Sequence, residues 1–286
     1  MPFGPVLSPS LGLSLLKAGL ERDGLAAEIR YFTLAFASTI GEHAYTRISM
    51  TGPLTIIELA GEWVFSHALF DQSEDDVRRY VEEVLVRRAG SRGSPPRIPP
   101  RVVSQILEVR ERVDGFLDRC VEEVVAARPR IVGFTSVFQQ HVASLALARR
   151  LREALPDVFV VFGGANVEAV MGAETVRRFP FVDAVVSGEG DLVFPELVRR
   201  ALAGESLAGL QGVRTRAGID DDFAERCVDR RRRFSKNHRR THLLAARRRR
   251  FFSVLAIVAP DGKNVFARTR DRRKQFHLTQ RNRLAR

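Results

Sequence analysis

The sequence has 286 residues, enough for one large or two ordinary domains with a substantial core. Its formal net charge is +12, but residues 218–286 carry 21 Lys and Arg against 7 Asp and Glu, which leaves 25 against 27 for residues 1–217. Two distant cysteines exclude a disulfide scaffold, and the absence of a long apolar run or a signal-peptide pattern predicts a cytoplasmic protein without a membrane span.

The chain begins with a loop, followed by a predicted helix. Ser10 is a suitable N-cap, and the leucines at positions 13, 16 and 20 would share one face of the helix. A strand is expected near residues 27–32. A doubly wound domain normally begins with a strand, so either this sheet is built differently or the chain starts inside its own fold.

Residues 34–127 are predicted to form a helical insertion. Ser73 and the acidic residues after it have the pattern of a helix start, and a long helix is expected over 102–127 with Cys120 on its core face. The Ser- and Pro-rich stretch 91–100 is a connector between the two. Trp63 has two interpretations, as a residue packed against the sheet or as a ring that stacks on a ligand.

Residues 129–203 repeat one pattern three times: a short apolar strand, a turn and an amphipathic helix. The strands are expected at 130–134, 158–162 and 182–186. Short apolar strands that alternate with amphipathic helices indicate parallel strands covered by helices on both faces. We therefore predict an α/β fold with a doubly wound, mostly parallel sheet of the flavodoxin-like or Rossmann-like type.

The three turns after these strands are the candidate ligand site. In a doubly wound sheet, ligands bind beyond the carboxyl ends of the strands, and glycines there let the backbone approach a bulky ligand. The turns are Thr135-Ser136, Gly163-Gly164-Ala165-Asn166 and Ser187 to Asp191. They contain neither the G-x-G-x-x-G dinucleotide motif nor a phosphate-binding loop, and tight turns of an ordinary α/β protein would have the same composition.

His141 follows the first of these turns. A neutral imidazole can bind a metal, but no Cys, Asp, Glu or second His stands at ligand spacing from it. We therefore predict an ordinary residue of a first helical turn near solvent, and we predict no protein metal site.

Several segments together carry a family resemblance. They are Ile131 to Gln140, Phe162 to Asn166 and Phe179 to Leu197, supported by Pro9 to Leu13 and Gly61 to Ser66. With these segments the chain resembles, over about residues 2–215, the N-terminal cobalamin-binding domain of radical SAM enzymes. More narrowly, it is similar to the radical SAM maturases of ribosomally made peptides, the bacteriocin-type (RiPP) maturation proteins.

The resemblance implies that cobalamin binds at the strand-end rim and that a precursor peptide is the partner. It places twelve residues near the corrin or its nucleotide tail: Thr135, Ser136, Gln139, Gln140, Gly163, Gly164, Ala165, Asn166, Ser187, Gly188, Glu189 and Gly190. In an intact relative, cobalamin would pass a methyl group to a carbon of the peptide or otherwise assist radical chemistry.

The sequence departs from the family in three ways. The cobalt-ligating D-x-H-x-x-G motif is absent, which is usual in the radical SAM branch, and the family's strand before the opening loop is absent too. The C-x-x-x-C-x-x-C motif, which holds a [4Fe–4S] cluster for S-adenosylmethionine in full-length relatives, is also absent. The resemblance therefore implies a cobalamin-binding domain, 1–217, truncated before the radical SAM core, without catalytic residues of its own and inactive alone.

Residues 218–286 form a basic tail with two runs of four arginines, at 230–233 and 247–250. Such a composition is typical of a GC-rich gene read in a shifted frame, and like-charge repulsion predicts disorder. The alternative is a basic arm that binds nucleic acid, although no recognisable reading module accompanies it. A third possibility is that the rim binds another nucleotide-like ligand.

Overall fold

The computed structural model describes residues 1–49, 58–86, 98–218 and 255–258. The helices are α1 (Leu11–Arg22), α2 (Phe32–Ile40), α3 (Glu42–Ile48), α4 (Ala60–Ser66), α5 (Glu74–Arg79), α6 (Pro100–Arg110), α7 (Val113–Ala127), α8 (His141–Ala154), α9 (Val170–Arg178) and α10 (Phe194–Ala203). A π-helical segment, Tyr80–Val86, continues α5. The strands are β1 (Ala27–Arg30), β2 (Ile131–Thr135), β3 (Phe159–Gly163), β4 (Ala184–Val186), β5 (Val213–Thr215) and β6 (Leu255–Val258).

These strands form one sheet in the order β1-β6-β2-β3-β4-β5. β2, β3 and β4 pair in parallel, whereas β5 is antiparallel to β4. β6 is antiparallel to both β1 and β2, so β1 runs in the same direction as β2. Four of the six described strands therefore share one direction, which confirms the predicted α/β class with a mostly parallel sheet.

The strand β6 lies between β1 and β2 in the sheet. A doubly wound domain normally begins with a strand, and this chain does not. Its register matches Ala27 to Val258 on one side and Ile131 to Val258 on the other. β6 belongs to the region predicted as a basic tail, and the rest of that region, 219–254 and 259–286, lies outside the described residues. The prediction of a separate tail did not anticipate a strand inside the sheet.

The sheet separates two apolar clusters. The larger one contains Val132, Phe134 and Phe162 and is covered by the helices between β1 and β3. The smaller one contains Ile131 and Val161, together with residues of α1 and α10. Because successive side chains of a strand point to opposite faces, the short apolar strands supply both clusters, as expected for a sheet covered on both sides.

Local sequence signals explain several helix ends. The Ser10 hydroxyl accepts the backbone N–H of Leu13, and Ser73 forms a reciprocal capping box with Asp76. The helix predicted over 102–127 is divided into α6 and α7 by a turn at 111–112. Cys120 is buried on α7, as predicted for a core thiol, and burial raises the pKa of its thiol.

Trp63 lies in the helical region, where its ring has two protein partners. Its ring stacks on Tyr80 with centroids 4.5 Å apart, and the guanidinium of Arg110 lies 4.3 Å from its centroid. Arg110 also donates a hydrogen bond of 2.6 Å to the carbonyl oxygen of Trp63. The ring is therefore a packing element of the helical region rather than a stacking surface for a ligand.

Within the described part of the chain, no helix combines the length and the apolar character needed to cross a bilayer.

Candidate functional site

A cavity of about 370 Å³ lies between the N-terminal half of α1 and the carboxyl ends of three parallel strands. The residues that line it are Gly12, Leu13, Leu15, Leu16, Gly133, Phe134, Thr135, Val161, Phe162, Gly163, Gly164, Val186, Gly188, Glu189, Gly190, Asp191 and Phe194. The carboxyl edge of a parallel sheet is the usual ligand position in this class of fold.

The floor of the cavity follows the alternation of the strands. Gly133 lies opposite Val161, and Thr135 lies opposite Gly163, all on the α1 side of the sheet. The two glycines leave room where other residues would place side chains. An added Cβ at Gly163 would meet nothing closer than the Val186 carbonyl oxygen at 3.9 Å. At Gly133 and Gly163 the cavity extends down to the backbone of the sheet, because glycine has no side chain.

Helix α1 forms the roof, with Leu13, Leu15 and Leu16 over the floor. The sequence predicted α1 as an amphipathic helix but did not place it at the site. One signal could have pointed there: Leu11 and Leu15 lie outside the buried stripe and are exposed. Apolar residues beyond the core-facing stripe of a helix indicate a second contact surface.

The turn after β4 forms one side of the cavity. The Glu168 carboxylate holds this turn in place. One oxygen of this carboxylate accepts the hydroxyl of Ser187 at 3.1 Å, and the other accepts the backbone N–H of Gly188 at 2.8 Å. Gly188 has φ +95, a conformation that favours glycine. Ser187 in turn accepts the backbone N–H of Ala169 at 2.7 Å. The turn is thereby fixed to the loop that precedes α9.

The structure separates the twelve predicted site residues into two sets. Six of them line the cavity: Thr135, Gly163, Gly164, Gly188, Glu189 and Gly190. The other six, which support the turns around it, are Ser136, Gln139, Gln140, Ala165, Asn166 and Ser187. Direct contact of any of the twelve with a cofactor remains a prediction.

Gln139 and Gln140 are fully buried, and their amides bind backbone. Gln139 accepts the N–H of Gly61 at 2.6 Å and donates to the carbonyl oxygen of Ile48 at 3.0 Å. Gln140 accepts the N–H of Val137 at 3.1 Å and donates to the carbonyl oxygen of Met1 at 2.9 Å. These side chains join the first turn to the N-terminal loop and the helical region, which explains two adjacent glutamines without a ligand.

Ser136 lies at the centre of a small polar cluster beneath the turns. Its hydroxyl accepts the side-chain amide of Asn166 at 3.0 Å and lies 3.3 Å from Nδ1 of His141. Asn166 also donates to the carbonyl oxygen of Phe138 at 2.8 Å. Burial lowers the pKa of His141 to about 4, so its imidazole is neutral near pH 7. His141 is thus less exposed to solvent than the sequence predicted, and it does not line the cavity.

Glu62 is a residue of this region that sequence reasoning missed. Its carboxylate accepts the backbone N–H groups of His141 at 2.9 Å and Val142 at 2.7 Å, the first residues of α8. Burial raises the pKa of Glu62 to about 7, although both hydrogen bonds oppose that shift. A carboxylate at a helix N-terminus is favourable. Because Glu62 is far in sequence from the start of α8, no local sequence pattern indicates this interaction.

In the part of the chain that the structure describes, no group of three or more His, Cys, Asp or Glu residues could hold a metal ion. The lining of the cavity itself contains neither histidine nor cysteine. Its polar side chains are the Thr135 hydroxyl and the carboxylates of Glu189 and Asp191. The site can therefore bind a ligand through apolar contact and hydrogen bonds, and its lining offers no imidazole or thiolate to a metal.

The region that holds this site is similar to known proteins. Residues 101–198 match the B12 binding domain family. The chain is also 38% identical over 140 residues to an uncharacterized methyltransferase of Pyrococcus horikoshii, a match that covers 46% of this chain and 30% of that protein. It is 29% identical over 91 residues to the anaerobic magnesium-protoporphyrin IX monomethyl ester cyclase of Rubrivivax gelatinosus, covering 32% of this chain and 16% of that protein.

The chain thus spans less than a third of the length of either relative. The matched domain begins in α6 and ends in α10, so it contains β2, β3 and β4 with the turns that line the cavity. The segment that matches the B12 binding domain family therefore includes the strand ends at which the cavity lies.

Proposed function

We propose that the chain binds cobalamin, with the nucleotide arm in the cavity and the corrin ring over its mouth. The observation that carries this proposal is the glycine floor at the carboxyl ends of β2 and β3, inside the matched domain. A cavity of about 370 Å³ is much smaller than a whole corrinoid but suits one heterocyclic arm. Gly163 lets the backbone come close to that arm.

The chemistry of the lining fits this ligand. Leu13, Leu16 and Val186 give apolar contact to a flat aromatic base. Corrin carries amide side arms, and the carboxylates of Glu189 and Asp191 can accept their N–H groups. The lining has no histidine or cysteine that could be offered to cobalt. When bound, cobalamin supplies a cobalt centre that can carry a methyl group.

We further propose that this cobalamin serves the modification of a ribosomally made precursor peptide by a radical SAM enzyme, including methyl transfer to carbon. The support is the resemblance of the segments around the three turns, together with the methyltransferase name of one relative. This sequence has no C-x-x-x-C-x-x-C motif for the iron–sulfur cluster that such an enzyme uses with S-adenosylmethionine. A C-x-x-x-C-x-x-C motif in another frame of the downstream DNA is the expected finding, and a downstream region without it would contradict this assignment.

Titration of the full chain with hydroxocobalamin, followed by the visible spectrum, tests the binding proposal. We expect saturable binding by the wild type and at least tenfold weaker binding by Gly163→Leu, whose side chain would occupy the cavity and whose Cβ would have only an ordinary contact of 3.9 Å with the Val186 carbonyl oxygen. Gly115→Ala on α7 is the control, because its methyl group finds space outside the cavity. A folded wild type that leaves the spectrum unchanged would overturn the proposal.

A further inference from the structure

Glu168 joins two of the three turns that follow the parallel strands. It lies after the second turn, just before α9, and its carboxylate binds the third turn at Ser187 and Gly188. Glu168 is exposed and does not line the cavity, whereas Gly188 does. A residue that does not touch a ligand can still determine its affinity by fixing the residues that do.

The third turn uses both oxygens of the Glu168 carboxylate. One accepts the Ser187 hydroxyl at 3.1 Å, and the other accepts the backbone N–H of Gly188 at 2.8 Å. An added Cβ at Gly188 would meet nothing within 4 Å, so no neighbouring group packs against that side of the residue. The carboxylate therefore fixes the start of this turn by hydrogen bonds rather than by packing.

The strand before the third turn does not depend on Glu168. β4 pairs with β3 on one side and with β5 on the other. The backbone N–H of Ser187 donates to the carbonyl oxygen of Gly212 at 2.8 Å, and the carbonyl oxygen of Gly190 accepts the N–H of Phe194 on α10 at 2.8 Å. Loss of the carboxylate should therefore release the residues between these attachments, Gly188 and Glu189, and leave the sheet in place.

The backbone next to Glu168 is strained. Ala169 has φ +51 and ψ −118, which is unusual for a residue with a side chain. Its N–H donates to the Ser187 hydroxyl at 2.7 Å, so Ser187 binds both Glu168 and Ala169. The strained segment and the third turn thus hold each other. Strained backbone that its surroundings keep in place is typical of ligand sites.

We infer that Glu168 is a positioning residue, whose carboxylate holds Gly188 and Glu189 at the side of the cavity before a ligand binds. This inference rests on the proposed function, which makes cobalamin the ligand. The role needs two hydrogen bonds and no charge, so glutamine can replace the carboxylate. Its carbonyl oxygen can accept the Gly188 N–H, and its amide can donate to the Ser187 hydroxyl. Alanine offers neither group.

Titration of the full chain with hydroxocobalamin tests the inference. Glu168→Ala should bind about tenfold more weakly than the wild type, the effect of losing one good hydrogen bond. Glu168→Gln should stay within about twofold of the wild type. Glu174→Ala is the control, because the Glu174 carboxylate on α9 also uses both oxygens, on Arg177 and Arg178, and does not line the cavity.

Amide hydrogen exchange of the protein without ligand measures the turn itself. The N–H of Gly188 should exchange about tenfold faster in Glu168→Ala than in the wild type or in Glu168→Gln, because it loses its acceptor. Urea unfolding of each variant checks that a loss of affinity is not a loss of fold, since changes at exposed residues affect stability little.

The possible outcomes distinguish this inference from the proposed function. Wild-type affinity of Glu168→Ala, or unchanged exchange of its Gly188 N–H, would overturn the role of Glu168 and leave cobalamin binding intact. Equal losses of affinity in Glu168→Gln and Glu168→Ala would also overturn it, because negative charge would then be the requirement. Failure of the folded wild type to bind hydroxocobalamin would overturn the proposed function and this inference with it.

Discussion

The backbone of Gly164 lies so close to that of Ser136 that a Cβ at position 164 would be 2.6 Å from the Ser136 carbonyl oxygen. The same oxygen accepts the backbone N–H of Asn166 at 3.1 Å, and the N–H of Ser136 donates to the carbonyl oxygen of Gly163 at 2.8 Å. This contact holds the first two turns of the cavity together. It requires a glycine for lack of space as well as for its φ of +97.

Gly164→Ala should therefore lower the free energy of unfolding by about 2–4 kcal/mol, because the collision adds to the cost of the backbone conformation. Gly204→Ala is the matched control: its φ of +71 is also positive, but an added Cβ meets nothing within 4 Å. The control should lose only about 1–2 kcal/mol. Urea unfolding of both variants measures the difference, and equal losses would show that the collision is relieved at no cost.

Glu62 should make stability depend on pH. Burial raises its pKa from 4.5 to about 7, so between these values the folded state keeps a proton that the unfolded chain releases. The stabilising contribution is therefore complete below about pH 4.5 and is lost as the pH rises to 7. Relative to Glu62→Gln, which does not titrate, the wild type should lose on the order of 1–3 kcal/mol between pH 5 and pH 8. Parallel unfolding curves at all pH values would contradict this.

His141 should titrate in the opposite sense. Burial lowers its pKa from 6.5 to about 4, so the unfolded chain takes up a proton in this range while the folded state does not. The stability linked to His141 is present above about pH 6.5 and is lost as the pH falls to 4. NMR of the ring protons should give a midpoint near pH 4, with His141→Gln to assign the signal. A midpoint near 6.5 would show an imidazole in contact with water.

Chains that end at different points should show whether β6 stabilises the domain. A chain ending after residue 218 lacks β6 and exposes the edges of β1 and β2, whereas a chain ending after residue 259 keeps β6 and loses only the residues beyond it. The free energy of unfolding of the first chain should be lower than that of the full chain by several times the roughly 1 kcal/mol that one backbone hydrogen bond contributes. The second should unfold at the same urea concentration as the full chain. Equal stability of both would show that β6 contributes nothing.

The sequence predicted the part of the fold that local patterns determine. Short apolar runs that end at turns indicated β2, β3 and β4, and the rule for parallel sheets then brought Thr135, Gly163 and Gly188 to one cavity. These strands and turns can be predicted from residues that are close together in the sequence. Such residues are also sufficient for the caps at Ser10 and Ser73.

The features that the sequence did not show depend on partners distant in the chain. The family resemblance placed Gln139 and Gln140 near the ligand, but their amides bind backbone groups of Met1, Ile48, Gly61 and Val137. Likewise, the Glu62 carboxylate accepts the backbone N–H of His141 at the start of α8, and the two residues are far apart in the sequence. β6 lies in the short apolar run 251–259 between arginine-rich segments, and its register depends on β1 and β2, which are far from it in the sequence.

The position of β6 also has a consequence for the time at which the domain is completed during synthesis. Ala27 pairs with Val258, so β1 cannot join the sheet until nearly the whole chain has left the ribosome. β2, β3 and β4, which are joined by crossover helices, can pair much earlier. The closing step brings together segments from opposite ends of the chain and should be slow, because pairings distant in sequence cost the most loop entropy. Until that step, the edges of β1 and β2 stay open to other chains.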